Sequence, residues 1–210
     1  MQSGVKHEVI DNWFERIVKR HCKGQVEMFR YCDDVVICCQ YQSDAERVKE
    51  ALDKRLAKFG LALNKEKTRL VQFSKAKSRQ KIKQEAFDFL GFTFYLGRSR
   101  KGDLIPKVKT NGARLRKKLK SVNVWAREVR NKAPLKEIWK AFGQKLEGHI
   151  QYYGVSFNAR SVHNFRNKAI RTMFKWLNRR SQRKSFNWEE FELFMSRYPA
   201  PKARICHVLF

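Results

Sequence analysis

Phe29-Arg30-Tyr31-Cys32-Asp33-Asp34-Val35-Val36-Ile37 sets two adjacent carboxylates between Val26-Glu27-Met28-Phe29 and the apolar run Val35-Val36-Ile37-Cys38-Cys39. β-Branched and aromatic residues on both sides of a short polar pair predict two strands joined by a tight turn. On this stretch alone an ordinary turn accounts for Asp33 and Asp34, because Asp tolerates turn geometry. The sharper reading is a carboxylate pair that holds Mg2+ at a phosphoryl-transfer centre, where hard oxygen ligands are required.

Working outward, residues 5–20 place Val5, Val9, Trp13 and Ile17 at near-helical spacing, which predicts an amphipathic helix ended by Lys23-Gly24. After the hairpin, Ser43 or Asp44 is the expected cap of a helix with Ala45, Val48, Leu52, Leu56 and Phe59 on one face, and Gly60 sits at its stop. Leu61–Asn64 and Thr68–Phe73 read as two short strands around Lys65-Glu66-Lys67, and Ser74–Gln84 as a basic loop or helix tip. Phe87–Tyr95 reads as a strand, with Arg98–Asp103 the turn before Leu104–Val108. Strands and helices alternate to about residue 108, so the first half is α/β in pattern.

The second half is helical. Leu115, Leu119, Val122, Ala126 and Val129 step by three and four. Pro134 opens a second helix through Ile138, Trp139, Phe142, Leu146, Ile150 and Tyr153. A third runs from about Ser161 through Phe165, Met173 and Trp176, and Asn187 caps a fourth that stops before Tyr198-Pro199. The aromatic stripes read mainly as core.

Charge points to the partner. Of a net +27, residues 1–97 carry 19 basic and 13 acidic side chains, whereas residues 98–210 carry 28 and 7. Such an excess is the footprint of a polyanion-binding surface, placed mainly in the second half. Arg114, Arg116, Lys117, Lys118, Lys120, Arg127 and Arg130 fill the polar faces of one helix, and Arg179, Arg180, Arg183 and Lys184 form a second dense run. Clusters of this kind neutralise phosphates and give salt-sensitive binding. The longest apolar run, Val35 to Cys39, is far too short to span a membrane. Five cysteines without C-x-x-C pairing predict small buried thiols in a reducing, cytoplasmic setting rather than disulfides or zinc.

Three blocks in order then resemble one family. Tyr31-Cys32-Asp33-Asp34 resembles the Tyr-x-Asp-Asp motif of reverse transcriptases. Gly60-Leu61-Ala62-Leu63-Asn64-Lys65-Glu66-Lys67-Thr68 is similar to the block that follows it, and Phe87-Asp88-Phe89-Leu90-Gly91-Phe92 to the last palm block. Downstream, Gly148-His149-Ile150-Gln151-Tyr152-Tyr153 resembles a signature of the group II intron maturase domain, and Leu177–Arg180 and Tyr198–Pro201 continue that likeness.

The resemblance implies an α+β chain: the end of a polymerase palm (1–97), a hairpin or linker (98–112), and an all-α thumb/maturase domain (113–210). It implies RNA-directed DNA polymerase chemistry with two Mg2+ ions, Asp33 and Asp34 being catalytic metal ligands. Tyr31, Cys32, Lys67, Leu90 and Gly91 would lie near the primer or nucleotide. Partners would be intron RNA and an RNA/DNA primer-template. The family's fingers and first palm blocks, which carry a further metal-binding Asp, precede the hairpin, where about thirty residues stand here. Polymerase activity is therefore expected only with the missing fingers/palm half, and an N-terminal fingers/palm fragment or a homodimer is the expected protein partner. The alternatives are a non-catalytic RNA-binding splicing factor that uses the basic half, and a degenerate remnant of a mobile intron protein.

Overall fold

A computed structural model describes residues 7–74, 85–180 and 186–209. The fold is α+β, and the chain divides into two compact units, Met1–Leu90 and Gly91–Phe210.

The first unit opens with two π-helical stretches, His7–Asn12 and Phe14–Val18, and a closing turn, Lys19–His21. This differs from the expected α-helical stripe. Ile17 is 48% exposed, whereas Val9, Ile10, Trp13, Phe14 and Val18 are buried. The wider π winding, with its i→i+5 bonds, carries the buried row from Val9 and Trp13 on to Phe14 and Val18 and leaves Ile17 outside. β1 (Val26–Tyr31) and β2 (Asp34–Cys39) form an antiparallel hairpin in register from Val26↔Cys39 to Tyr31↔Asp34. α1 (Gln42–Ala57) supplies Val48, Leu52 and Leu56 to the same core.

Two expectations change here. Asp44 is not the helix cap: Tyr41 holds that position, and the wholly buried Asp44 carboxylate accepts from Gly24 N at 3.0 Å. That backbone N–H holds the carboxyl below its usual range. A side chain at Gly24 would meet Tyr41 and Gln40 at 2.7–2.8 Å, so this loop and the start of α1 are closely fitted. Leu61–Asn64 and Thr68–Phe73 are irregular rather than strands. Their alternation reflects packing, since Leu61 and Leu63 lie against the first core. Arg69 Nη2 anchors the segment on Ala86 O at 2.7 Å. Most of the basic Ser74–Gln84 stretch lies outside the described residues.

The expected Phe87–Tyr95 strand is interrupted. β3 (Ala86–Phe89) ends the first unit, and β4 (Phe92–Arg98) begins after Leu90 (φ 50°) and Gly91 (φ 81°). Two successive residues at positive φ make the turn type that strand ends favour.

In the second unit β4 pairs antiparallel with β5 (Leu104–Thr110) from Phe92↔Thr110 to Arg98↔Leu104. Four helices follow: α2 (Gly112–Val129), α3 (Leu135–Tyr153), α4 (Ala159–Leu177) and α5 (Trp188–Arg197). Asn187 caps α5 in a full capping box with Glu190. Pro134 lies one residue outside α3 rather than at its first position. The core is built by Trp139, Phe142, Leu146 and Ile150 of α3 with Val162, Phe165, Met173 and Leu177 of α4. Phe191 closes it from α5.

A strap, Tyr198–His207, finishes the unit. Tyr198 O accepts from Trp139 Nε1 at 2.8 Å, Pro201 O from Arg166 Nε at 2.7 Å, and His207 bridges Val155. Arg204 is ion-paired with Glu147. Among the described residues no helix is long and apolar enough to cross a membrane.

His149 is buried in this core against Phe165 (centroids 3.5 Å apart), and neither ring nitrogen has a hydrogen-bond partner. Burial, helped by the charge of Lys118, pushes it down to about 4 from 6.5. The neutral ring is the folded form, so its contribution is intact above 6.5 and falls away as pH drops toward 4. Acidification from pH 7.5 to 5 should therefore cost about 2 kcal/mol at this site alone. Urea midpoints at the two pH values measure the loss, and His149→Phe should remove most of it.

Candidate functional site

The carboxylate pair sits at the tip of the β1–β2 hairpin. Tyr31↔Asp34 is the last paired position, so Cys32 and Asp33 form a two-residue turn and Asp34 is the first residue of β2. Cys32 takes φ 53°. A non-glycine residue in the left-handed region is strained, and such residues gather at sites whose geometry the surroundings impose. Both aspartates are exposed.

Arg30 supplies the bracing. Its Nε and Nη2 donate to the two oxygens of Asp11 at 2.6 and 2.5 Å, and its Nη1 donates to Cys32 O at 3.1 Å. A single guanidinium thus ties the first helical stretch to the turn that carries Asp33. Asp11 holds Arg30 above its ordinary range, with smaller charge contributions from Cys32 and Asp33. The fork geometry requires arginine. Arg30→Ala should destabilise the first unit by about 2–3 kcal/mol, because it takes both Arg30 donors from a half-buried carboxylate and a third from the turn carbonyl. Arg30→Lys should recover less than half. Urea denaturation of the full chain, with hydrogen exchange at residues 31–34, reads both variants.

Asp11 is a residue that sequence reading missed as part of this site. Its partner lies 19 residues away, and only the pairing of an arginine inside the motif with an upstream acid hinted at it.

Along β1, Glu27, Phe29 and Tyr31 point to solvent while Val26 faces the core, as strand alternation requires. Phe29 is 56% and Tyr31 62% exposed, an aromatic face beside the carboxylates. Of the five free thiols, Cys32 and Cys38 are exposed, which corrects the expectation of buried cysteines. Strand alternation turns Cys38 outward opposite Glu27, and Cys32 stands in the exposed turn. Cys39 fits the expectation better: burial, then the neighbouring Cys22, pushes its thiol up to about 11.

The expected nucleotide-proximal positions separate along the chain. Lys67 follows a turn that Asn64 closes, its N–H donating to Asn64 O at 3.1 Å and to Oδ1 at 3.2 Å. Asn64 is thus the structural residue of that block. Leu90 and Gly91 occupy the positive-φ turn. A Cβ on Gly91 would come within 2.9 Å of the Tyr153 hydroxyl, so glycine is needed for space as well as for φ.

Among the basic residues, Arg114, Arg116, Lys117, Lys118, Lys120 and Arg127 are exposed on α2. Arg180 is half-buried and donates to Ala133 O at 3.1 Å. Arg130 and Arg179 come together over Trp176. Arg183 and Lys184 lie outside the described residues.

Two exposed carboxylates at one tip offer hard oxygen ligands suited to part of a Mg2+ shell. Among the described residues no group of three or more His, Cys, Asp or Glu side chains gathers as a ligand set. The tip can therefore contribute to a divalent-cation site and, with further oxygens, to phosphoryl transfer.

Residues 6–94 match the family model for reverse transcriptase (RNA-dependent DNA polymerase). The hairpin and the blocks around Lys67 and Gly91 all fall inside that span, so the match supports a reverse transcriptase domain in this part of the chain. No curated protein and no solved structure matches the chain.

Proposed function

We propose that the chain is the C-terminal portion of a group II intron reverse transcriptase/maturase. In this reading the first unit supplies the Asp33–Asp34 hairpin of an RNA-directed DNA polymerase centre, and the second unit binds intron RNA and supports splicing and retrohoming. The carrying observation is the carboxylate tip itself, exposed, braced by Arg30, and inside the reverse transcriptase match.

Asp33 and Asp34 would hold Mg2+, which when bound neutralises charge on the attacking and leaving oxygens of nucleotidyl transfer. The remaining ligands would come from a fingers and first-palm chain. Primer extension on an RNA template, with and without such a fragment, tests the reading. Extension only in the complemented mixture is expected; none in either would overturn it.

The basic second half favours one other reading, a non-catalytic RNA-binding factor. It predicts RNA binding that survives Asp33→Asn and Asp34→Asn, with no extension under any complementation.

A further inference from the structure

α2 and α4 pack together, and their C-terminal ends bring three cations to one indole. Arg130 Cζ lies 5.1 Å, Arg179 Cζ 5.3 Å and Lys175 Nζ 5.4 Å from the Trp176 ring centroid. The ring is fixed, since its Nε1 donates to Asn123 Oδ1 at 2.8 Å. A flat ring has two faces, so three cations cannot each have one to themselves. All three lie within about one Debye length of one another, ~10 Å at 0.1 M salt, and so repel.

The ends of α2 and α4 offset part of that repulsion through their dipoles. They leave two features unexplained. Among the described residues none of the three cations forms an ion pair with a carboxylate. The Nε of Arg130 is buried with no acceptor. An anion with several acceptor oxygens answers the first, and two guanidinium groups gathered over one indole suit a phosphate better than a single-point ligand.

We infer that the Trp176 cluster is a clamp for one or two backbone phosphates of RNA, an inference that rests on the second unit being RNA-binding. The surrounding charge favours nucleic acid over an acidic protein, because the field extends along the whole exposed face of α2 rather than ending at the cluster. Trp176 acts as the plate that orders the guanidinium groups. It is half-buried and already hydrogen-bonded, so stacking of a base on it is not needed.

The test uses the full chain, a short oligouridylate and a structured RNA hairpin, with affinity measured across a series of salt concentrations. Arg130→Gln with Arg179→Gln should weaken binding about tenfold or more at 0.1 M salt and lower the salt slope by about 1.4 on the single strand. The Arg130→Lys, Arg179→Lys pair keeps the charge and should restore most of that slope, which a purely structural role would not do. If wild type binds no RNA, both the clamp and the reading beneath it fall. If wild type binds and the glutamine pair binds equally with the same slope, the clamp alone falls. A response confined to polyglutamate would also overturn it, by making the cluster a protein-docking surface.

Discussion

Asp33→Asn and Asp34→Asn should each lower primer extension in the complemented mixture by about a thousandfold or more. On the proposed reading, in which the pair holds Mg2+, losing one carboxylate removes about 4 kcal/mol of transition-state charge stabilisation. The same substitutions should leave stability within about 0.5 kcal/mol, because both side chains are exposed and the turn is held by Arg30 on the Cys32 carbonyl. RNA affinity should also be unchanged, since the basic surface is in the other half of the chain. The decisive comparison is single-turnover extension against melting and RNA binding in one preparation. A large loss of stability would mean that the aspartates serve the turn rather than the chemistry.

Asn158→Ala should destabilise the second unit by about 3–4 kcal/mol, the largest effect expected of a polar residue in this chain. Asn158 is wholly buried, and its Oδ1 accepts from Thr110 N at 2.8 Å. Its Nδ2 donates to Thr110 Oγ1 and to Tyr153 O, both at 2.8 Å. One amide therefore links β5, the end of α3 and the start of α4. Alanine would strand the Thr110 N–H in the core and take from the Tyr153 carbonyl one of its two donors, the other being Val155 N at 2.8 Å. Asn158→Asp should be nearly as costly, because an oxygen would then face the Tyr153 carbonyl. A fall in melting temperature of about 10–15 °C would register either change.

Local pattern made much of this fold legible. The carboxylate hairpin, α1, and the four helices of the second unit follow from periodicity, a capping box and turn residues that act within a few positions. Where sequence reading went astray, a longer-range or looser geometry decided. The π winding buried Phe14 and Val18 in place of Ile17. Asp44 was drawn from the helix cap to a loop amide twenty residues earlier. Leu61 and Leu63 alternate for packing, not for a sheet ladder.

The site shows the same division. Asp33 and Asp34 stand out as a motif, whereas Asp11, Asn158 and the grouping of Arg130 with Arg179 depend on partners 19 to 49 residues away. No local rule couples such positions.

The Tyr198–His207 strap has a consequence in time. It provides the Tyr198 carbonyl for Trp139, the Pro201 carbonyl for Arg166 and the guanidinium for Glu147, all on helices made far earlier. During synthesis, α3 and α4 must wait for the strap with those groups unsatisfied and part of their apolar surface in water. The second unit can therefore reach its native state only after residue 207 has left the ribosome, well after the first unit could have folded. That interval is when the nascent chain is most exposed to chaperones and to aggregation, and a ligand that gathered the helices early would shorten it.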